Sequence, residues 1–305
     1  MSKALKPLIL LMMLCCAVAK VTAQHTFPKG NLLEMNKYQD SLVRISDSTY
    51  NSTSNESRFG QNAVFIKTLV NALKTNGSFN YGFDSLKKIS ILKSPDNLLK
   101  IFSWHLPVDD GSYRFFGAIQ LATKDGKLKL FPLIDETEQL ADPNQVTDNK
   151  NWFGARYYEI IPVSGNGGTY YALIGWKGNN QKTTKKVIEI LSFVKDAPVF
   201  GKNVFDQKTP KGRNRMIYEY NKLNTMTLKV DRQVNMIILD HLAPFTPDLE
   251  GNFEYYASDL SFDGYRIAGG RLRLVEDVEL KNDPNDADEL YIDPKDKNIS
   301  PIKKL

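Results

Sequence analysis

Histidine, the side chain best suited to move a proton near neutral pH, occurs three times in the 305 residues, as His25, His105 and His241. His25 falls beside the point where a leader would be cut, so histidine chemistry rests on His105 or His241. The strongest local constellation is Asp240-His241, read as the end of a strand, followed by a proline-containing loop and then Asp259 and Asp263. An imidazole oriented by a carboxylate acts as a general base, and paired carboxylates can hold a divalent cation. The corresponding chemistry is hydrolysis: His241 is the base, Asp240 or Asp259 orients it, and Asp259 and Asp263 are candidate metal ligands. The competing reading is structural, with aspartates capping turns, Asp263-Gly264 itself a turn, and His241 bonded to backbone. His105 follows Trp104 in a predicted strand and reads as a histidine on the sheet face shared by Ile101 and Ser103.

Other catalytic signatures are weak. Ser164 lacks the glycine two positions earlier that a nucleophile elbow uses. Ser-x-x-Lys occurs four times, at Ser85/Lys88, Ser90/Lys93, Ser192/Lys195 and Ser300/Lys303, as expected by chance in a lysine-rich chain. The glycine-rich stretch 165–168 lacks the Gly-Lys-Ser/Thr ending of a phosphate loop and precedes a strand, so it reads as a hairpin turn. Residues 283–289 are acidic, but Ala287 stands where a calcium loop needs an oxygen ligand. No motif assigns a cofactor. The aromatic residues give a different hint: Tyr157-Tyr158, Tyr170-Tyr171 and Tyr255-Tyr256 are adjacent pairs in predicted strands. Neighbours in a strand face opposite ways, so one ring of each pair could form an outward platform for a sugar or a protein partner, unless a second layer covers that face.

The elements that must position these residues begin after a leader. Residues 1–6 carry Lys3 and Lys6, residues 7–19 carry no charge, and Val21-Thr22-Ala23 has the small residues of a cleavage site. Cleavage between Ala23 and Gln24 predicts an exported chain, periplasmic or extracellular, of 282 residues. A lipid-anchoring signal does not fit, because Leu14 precedes Cys15 and Met13 stands three before Cys16. Both cysteines leave with the leader, which closes thiol catalysis, Cys-ligated zinc, iron–sulfur clusters and covalent haem. Three lysines leave too, so 37 basic face 35 acidic residues, and the balance falls from +5 to +2. That charge calls for no nucleic-acid partner.

Residues 24–87 read as a helical segment. One helix starts at Asn31 with Glu34 in capping-box spacing, shows Leu32, Met35, Tyr38, Leu42 and Ile45 on one face, and is ended by the polar run 46–54. A second has Thr53 and Glu56 in the same spacing, a stripe of Phe59, Ala63, Ile66, Val70 and Leu73, and a stop at Asn76-Gly77. From residue 88 the period changes to two, predicting strands over 89–93, 98–106, 113–121, 127–134, 157–163, 169–176, 186–193, 215–220, 225–231, 234–240, 253–256 and 272–280. Short turns separate them. The expected fold is mainly β (α+β), an antiparallel meander over 88–280 forming a sandwich, barrel or irregular propeller, with the two helices packed against it and a loose tail over 281–305. No apolar run after residue 23 exceeds 170–176, too short for a membrane helix, and several strands fall below the ~9–11 residues that a membrane barrel requires.

Ser94-Pro-Asp-Asn97 with Ile101-Phe-Ser-Trp104 and Phe116-Gly-Ala-Ile-Gln120, and Leu239-Asp-His-Leu242 with Ser258-Asp-Leu-Ser-Phe-Asp-Gly-Tyr265, resemble a family of exported bacterial proteins of unknown function. The similarity covers most of the mature chain. It implies export and carries no catalytic residues. The sequence therefore favours a non-enzymatic exported protein that binds a glycan or an envelope protein, with the Asp240/His241/Asp259/Asp263 hydrolase as its alternative.

Overall fold

The computed structural model describes residues 29–165, 167–206 and 212–279. The expected leader, Asn166 of the glycine-rich turn and the acidic stretch 283–289 lie outside the described residues.

Helix α1 spans Lys29–Asn51, past the expected end. The hydroxyls of Ser46 and Thr49 donate to the carbonyls of Val43 and Ile45, which lets these polar residues stay helical, and Ser52, just past the end, donates to the Ser48 carbonyl. Helix α2, Asn55–Lys74, is capped by Ser54, whose hydroxyl accepts from the Ser57 N–H. Its buried face is Arg58, Asn62, Phe65, Leu69, Ala72 and Leu73. The expected stripe is thus one residue out of phase, because two buried positions are polar. Arg58 donates to the carbonyls of Ser52 and Pro107 and to the side chains of Asn55 and Asp109, while Asn62 accepts the Trp104 indole N–H at 2.8 Å.

The rest is mainly β, in three open antiparallel sheets that do not close into a barrel. The first is the meander β1 (Ser90–Lys93), β2 (Leu99–Pro107), β3 (Tyr113–Leu121) and β4 (Lys129–Ile134). The second contains β5 (Thr147–Asp148), β6 (Arg156–Gly165), β7 (Gly168–Gly178), β8 (Thr183–Val194) and β9 (Ala197–Phe200), in the order β5-β9-β8-β7-β6. β11 (Met216–Asn221) pairs with the first half of β8. The third has β10 (Phe205–Asp206), β12 (Leu228–Asp231), β13 (Met236–Pro244), β14 (Tyr256–Ala268) and β15 (Arg271–Val275), in the order β10-β15-β14-β13-β12; only the two-residue β10/β15 pair is parallel.

Three apolar clusters show how the layers stack. Phe102 and Trp104 of β2 pack with Met35, Leu42, Phe65 and Leu69 of the helices. The alternate residues Leu99 and Ile101 pack with Tyr157, Tyr171, Leu173 and Leu191 of the second sheet. The opposite face of that sheet, including Tyr170, Ala172, Ile174 and Ile188, meets Ile237, Leu239 and Tyr265 of the third. The order is helices, sheet, sheet, sheet, with the middle sheet covered on both faces.

The largest departure from expectation is β14. The sequence suggests a strand at 253–256 followed by loop and turn. The structure has a single 3-10 turn at Phe253–Tyr255 and then a 13-residue strand. Its alternation is broken by a bulge: Asp240 pairs with Phe262 and Leu242 with Ser258, leaving His241 opposite three residues of β14. Leu260 adopts φ 72°, the left-handed region.

Candidate functional site

The bulge separates the residues of the hydrolase reading. Asp240 is buried, and its carboxylate accepts the Thr227 N–H at 2.9 Å. His241 leaves the ladder instead, half-exposed, with Nδ1 2.8 Å from Asp263 Oδ2. The orienting carboxylate is therefore Asp263, not Asp240 or Asp259. Asp263 lies inside β14 rather than in a turn, and its other oxygen accepts the Asp277 N–H at 3.3 Å. The hydrogen bond from Asp263 raises the His241 pKa, partial burial opposes it, and the charges of Asp263, Asp259 and Asp277 add to the rise. Asp259 is engaged locally, with one oxygen accepting both the N–H and the hydroxyl of Ser261, and its carboxyl is held below the usual range by those bonds. Among the described residues no three metal-ligating groups gather, at Asp259 and Asp263 or elsewhere. This place offers a half-exposed imidazole oriented by one carboxylate.

The tyrosine pairs are also divided. Tyr157, Tyr170 and Tyr171 are all buried, because both faces of the second sheet are covered by another sheet. They form no outward platform. The Tyr157 hydroxyl accepts the Trp152 indole N–H, and that of Tyr171 donates to Asp96. Tyr255 and Tyr256 stand in an aromatic group with Phe245 and Phe253, ring centroids 6.4 and 5.1 Å apart for Phe245–Tyr255 and Phe253–Tyr256. Tyr158 is exposed, and its ring centroid lies 5.6 Å from Lys186 Nζ, which lines a cleft.

That cleft, about 350 Å³, is lined by Trp176, Thr184, Lys186, Tyr220, Lys222, Asn224, Thr225 and Met226. β7 supplies Trp176, β8 supplies Thr184 and Lys186, β11 supplies Tyr220, and the turn after β11 supplies the rest. Trp176, Lys186 and Lys222 are held in place. The Trp176 indole N–H donates to Thr184 Oγ1 at 2.8 Å, and its ring packs on His105 and Tyr113 with centroids 4.6 and 5.2 Å away. Gly178 makes this packing possible: a Cβ there would lie 2.4 Å from Tyr113 and 2.6 Å from Trp176. Burial and then the Arg156 charge pull the His105 pKa down to about 4, so at neutral pH it is an uncharged packing ring. Lys186 Nζ donates to the Met226 carbonyl and lies 5.6 Å from the Tyr158 ring centroid; Lys222 Nζ donates to the Asn180 carbonyl and lies 5.3 Å from that of Tyr113. Burial lowers the Lys186 pKa and the Asp240 charge opposes it. The Trp176 ring, ammonium donors, hydroxyls and an amide in one concavity can stack on a polar ring and hydrogen-bond its substituents, while Tyr220 is buried behind them.

Sequence reasoning missed this site. Trp176, Lys186 and Tyr220 come from three strands joined by the pairing of β8 with β11, which places Lys186 opposite Tyr218 and Thr184 opposite Tyr220. No local spacing records that pairing. The alternation of Tyr218 and Tyr220 was the only signal available.

A second polar group is architectural. Lys177 is buried and its ammonium donates to Thr137 Oγ1 and to the carbonyls of Phe153 and Gly154 at 2.5–2.8 Å. Arg215, fully buried, donates to Glu189 at 2.8 Å and to the carbonyls of Pro143 and Gln145. Both cations thus satisfy carbonyls of the long connection from β4 to β6 and bind it to the middle sheet.

Comparison with protein-family models, with curated proteins and with solved structures finds no match to this chain.

Proposed function

We propose that this is an exported, non-enzymatic binding protein that holds a saccharide in the cleft beside Trp176. The observation that carries the reading is the convergence of the partly buried Trp176, two lysines, two threonines and an asparagine on one open concavity of about 350 Å³, with Tyr220 buried beneath it. Sugars present apolar C–H faces that stack on aromatic rings, and hydroxyls that pair with amide, hydroxyl and ammonium groups. The volume is near the lower end of the ~300–1,000 Å³ range common for small-molecule sites. Its open shape suits a residue within a chain. Export is supported by the leader-like start of the sequence; in that compartment the partners are glycans of an envelope or its surroundings. No helix among the described residues is long and apolar enough to cross a membrane.

A glycan array probed with the wild type and with Trp176→Ala tests the reading. Binding of specific glycans that Trp176→Ala abolishes is the expected result; unchanged binding by Trp176→Ala rejects the cleft. The hydrolase alternative has the 2.8 Å contact between His241 and Asp263 in its favour. It predicts hydrolytic turnover lost in His241→Ala, whereas the binding reading predicts that His241→Ala binds the same glycans as the wild type.

A further inference from the structure

The charged residues lining the cleft are both lysines, and no aspartate or glutamate shares the lining. The nearest acidic side chains are engaged elsewhere. Glu219 pairs with Lys185 at 3.1 Å and accepts from Asn179 and Thr183, Glu254 pairs with Lys182 at 2.7 Å, and Asp240 accepts the Thr227 N–H. Lys182 and Lys185, flanking this stretch of β8, thus each have an acidic partner. Among the described residues neither Lys186 nor Lys222 makes an ion pair.

Both ammonium groups are nevertheless fixed. Each donates one hydrogen bond to a backbone carbonyl, of Met226 or of Asn180, and each lies against a tyrosine ring. An ammonium has three donors, so two on each lysine remain for a ligand. A lysine anchored this way loses less side-chain freedom on binding than one free in solvent. Lys186 is also partly withdrawn from water, where a charge is less screened than on open surface.

Resting on the saccharide reading above, we propose that the bound saccharide carries an anionic substituent, a carboxylate or a sulfate, recognised by Lys186 and Lys222 while the sugar ring stacks on the aromatic wall. Either group accepts several hydrogen bonds, and lysine meets both as a compact cation rather than through a planar fork. The two sources share one chemistry and are separated by experiment.

Titration calorimetry with three oligosaccharides of equal length, one neutral, one of uronic acids and one sulfated, tests the proposal at 50 and 500 mM salt. The expected result is that the uronate or the sulfated chain binds at least tenfold more tightly than the neutral chain, and that this advantage shrinks at high salt. The Lys186→Met/Lys222→Met double variant keeps side-chain length without charge; it should abolish the advantage, so that the charged chains bind no more tightly than the neutral one. Lys186→Arg, which keeps the charge, should retain the advantage and guards against misfolding of the double variant. Equal binding of all three chains, unaffected by the double variant, overturns the charge recognition and leaves the saccharide reading standing. No binding of any chain, with none on a glycan array, overturns both. Preference for the uronate or for the sulfated chain supports the proposal and identifies the substituent.

Discussion

Lys100 gives the account a quantitative test of its packing. It is the second residue of β2, 2% exposed, with Nζ donating to the Tyr81 carbonyl at 2.8 Å. The rings of Phe79, Phe83 and Phe102 surround it with centroids 5.5–6.0 Å away. Burial, and then the charge of Lys93, lower its pKa from 10.5 to about 7, against a smaller opposing effect of Asp84. Between those two pH values the folded chain gives up a proton that the unfolded chain keeps. Unfolding there takes up a proton, and stability rises with pH. The whole displacement corresponds to about 5 kcal/mol, of which roughly 2 kcal/mol falls between pH 7 and 9. Lys100→Met removes the titration and keeps the volume. Urea unfolding at pH 7, 8 and 9 should therefore show the wild type gaining on Lys100→Met by roughly 2 kcal/mol, close to 1 M in midpoint for a chain of this size. The offset between the two proteins at pH 7 combines desolvation, the lost hydrogen bond and ring contacts, but the difference in slope isolates the proton. Lys177, also pulled down to about 7 by burial, contributes equally to both. Parallel stability curves would refute the reasoning and mean that the rings and the carbonyl keep Lys100 charged.

Other residues give further outcomes. Glu189→Ala strips the buried Arg215 guanidinium of its carboxylate and should cost about 3–5 kcal/mol in denaturant unfolding, while an apolar replacement of both, Glu189→Leu with Arg215→Met, should recover much of the loss. Gly178→Ala drives a methyl group into the Tyr113 and Trp176 rings and should cost about 1–3 kcal/mol, with a change in tryptophan fluorescence. In NMR titrations the His105 ring should stay neutral down to about pH 4, whereas His241 should titrate above the ordinary histidine value and fall back towards it in Asp263→Asn. Because the His241 pKa is raised in the fold, its contribution to stability should be present below pH ~6.5 and disappear as pH rises through the raised value.

Much of the fold was legible because apolar spacing reports which face is buried. Met35 and Leu42 mark the inner face of α1, and the alternation in β2 separates the face meeting the helices from the face meeting the second sheet. The pattern failed where polar side chains are buried with partners, as at Arg58 and Asn62, and where a bulge interrupts the ladder. In β14 the residues Asp259, Asp263 and Gly264 read as turn formers, yet their strand is fixed by pairing with β13 on one side and β15 on the other. For the candidate site, the Asp/His group was legible in part, since His241 does meet one of the three aspartates named for it. Of the paired tyrosines, Tyr157, Tyr170 and Tyr171 are buried because sheets cover both faces of the middle sheet, whereas Tyr158 and Tyr255 are exposed. The cleft was illegible because its walls meet only through the pairing of β8 with β11, whose partners stand 28 to 38 residues apart in sequence.

The saccharide reading is tested most directly by the indole N–H signals of the three tryptophans in a two-dimensional NMR spectrum, recorded while an array-selected glycan is added. Trp104 and Trp152 are buried, at 3% and 0% exposure, and their indoles donate to Asn62 and Tyr157, whereas Trp176 lines the cleft. The account predicts a saturable shift of the Trp176 signal alone, with the same midpoint as calorimetry. Saturable glycan binding that leaves the Trp176 signal in place, or that moves the other two instead, would contradict it.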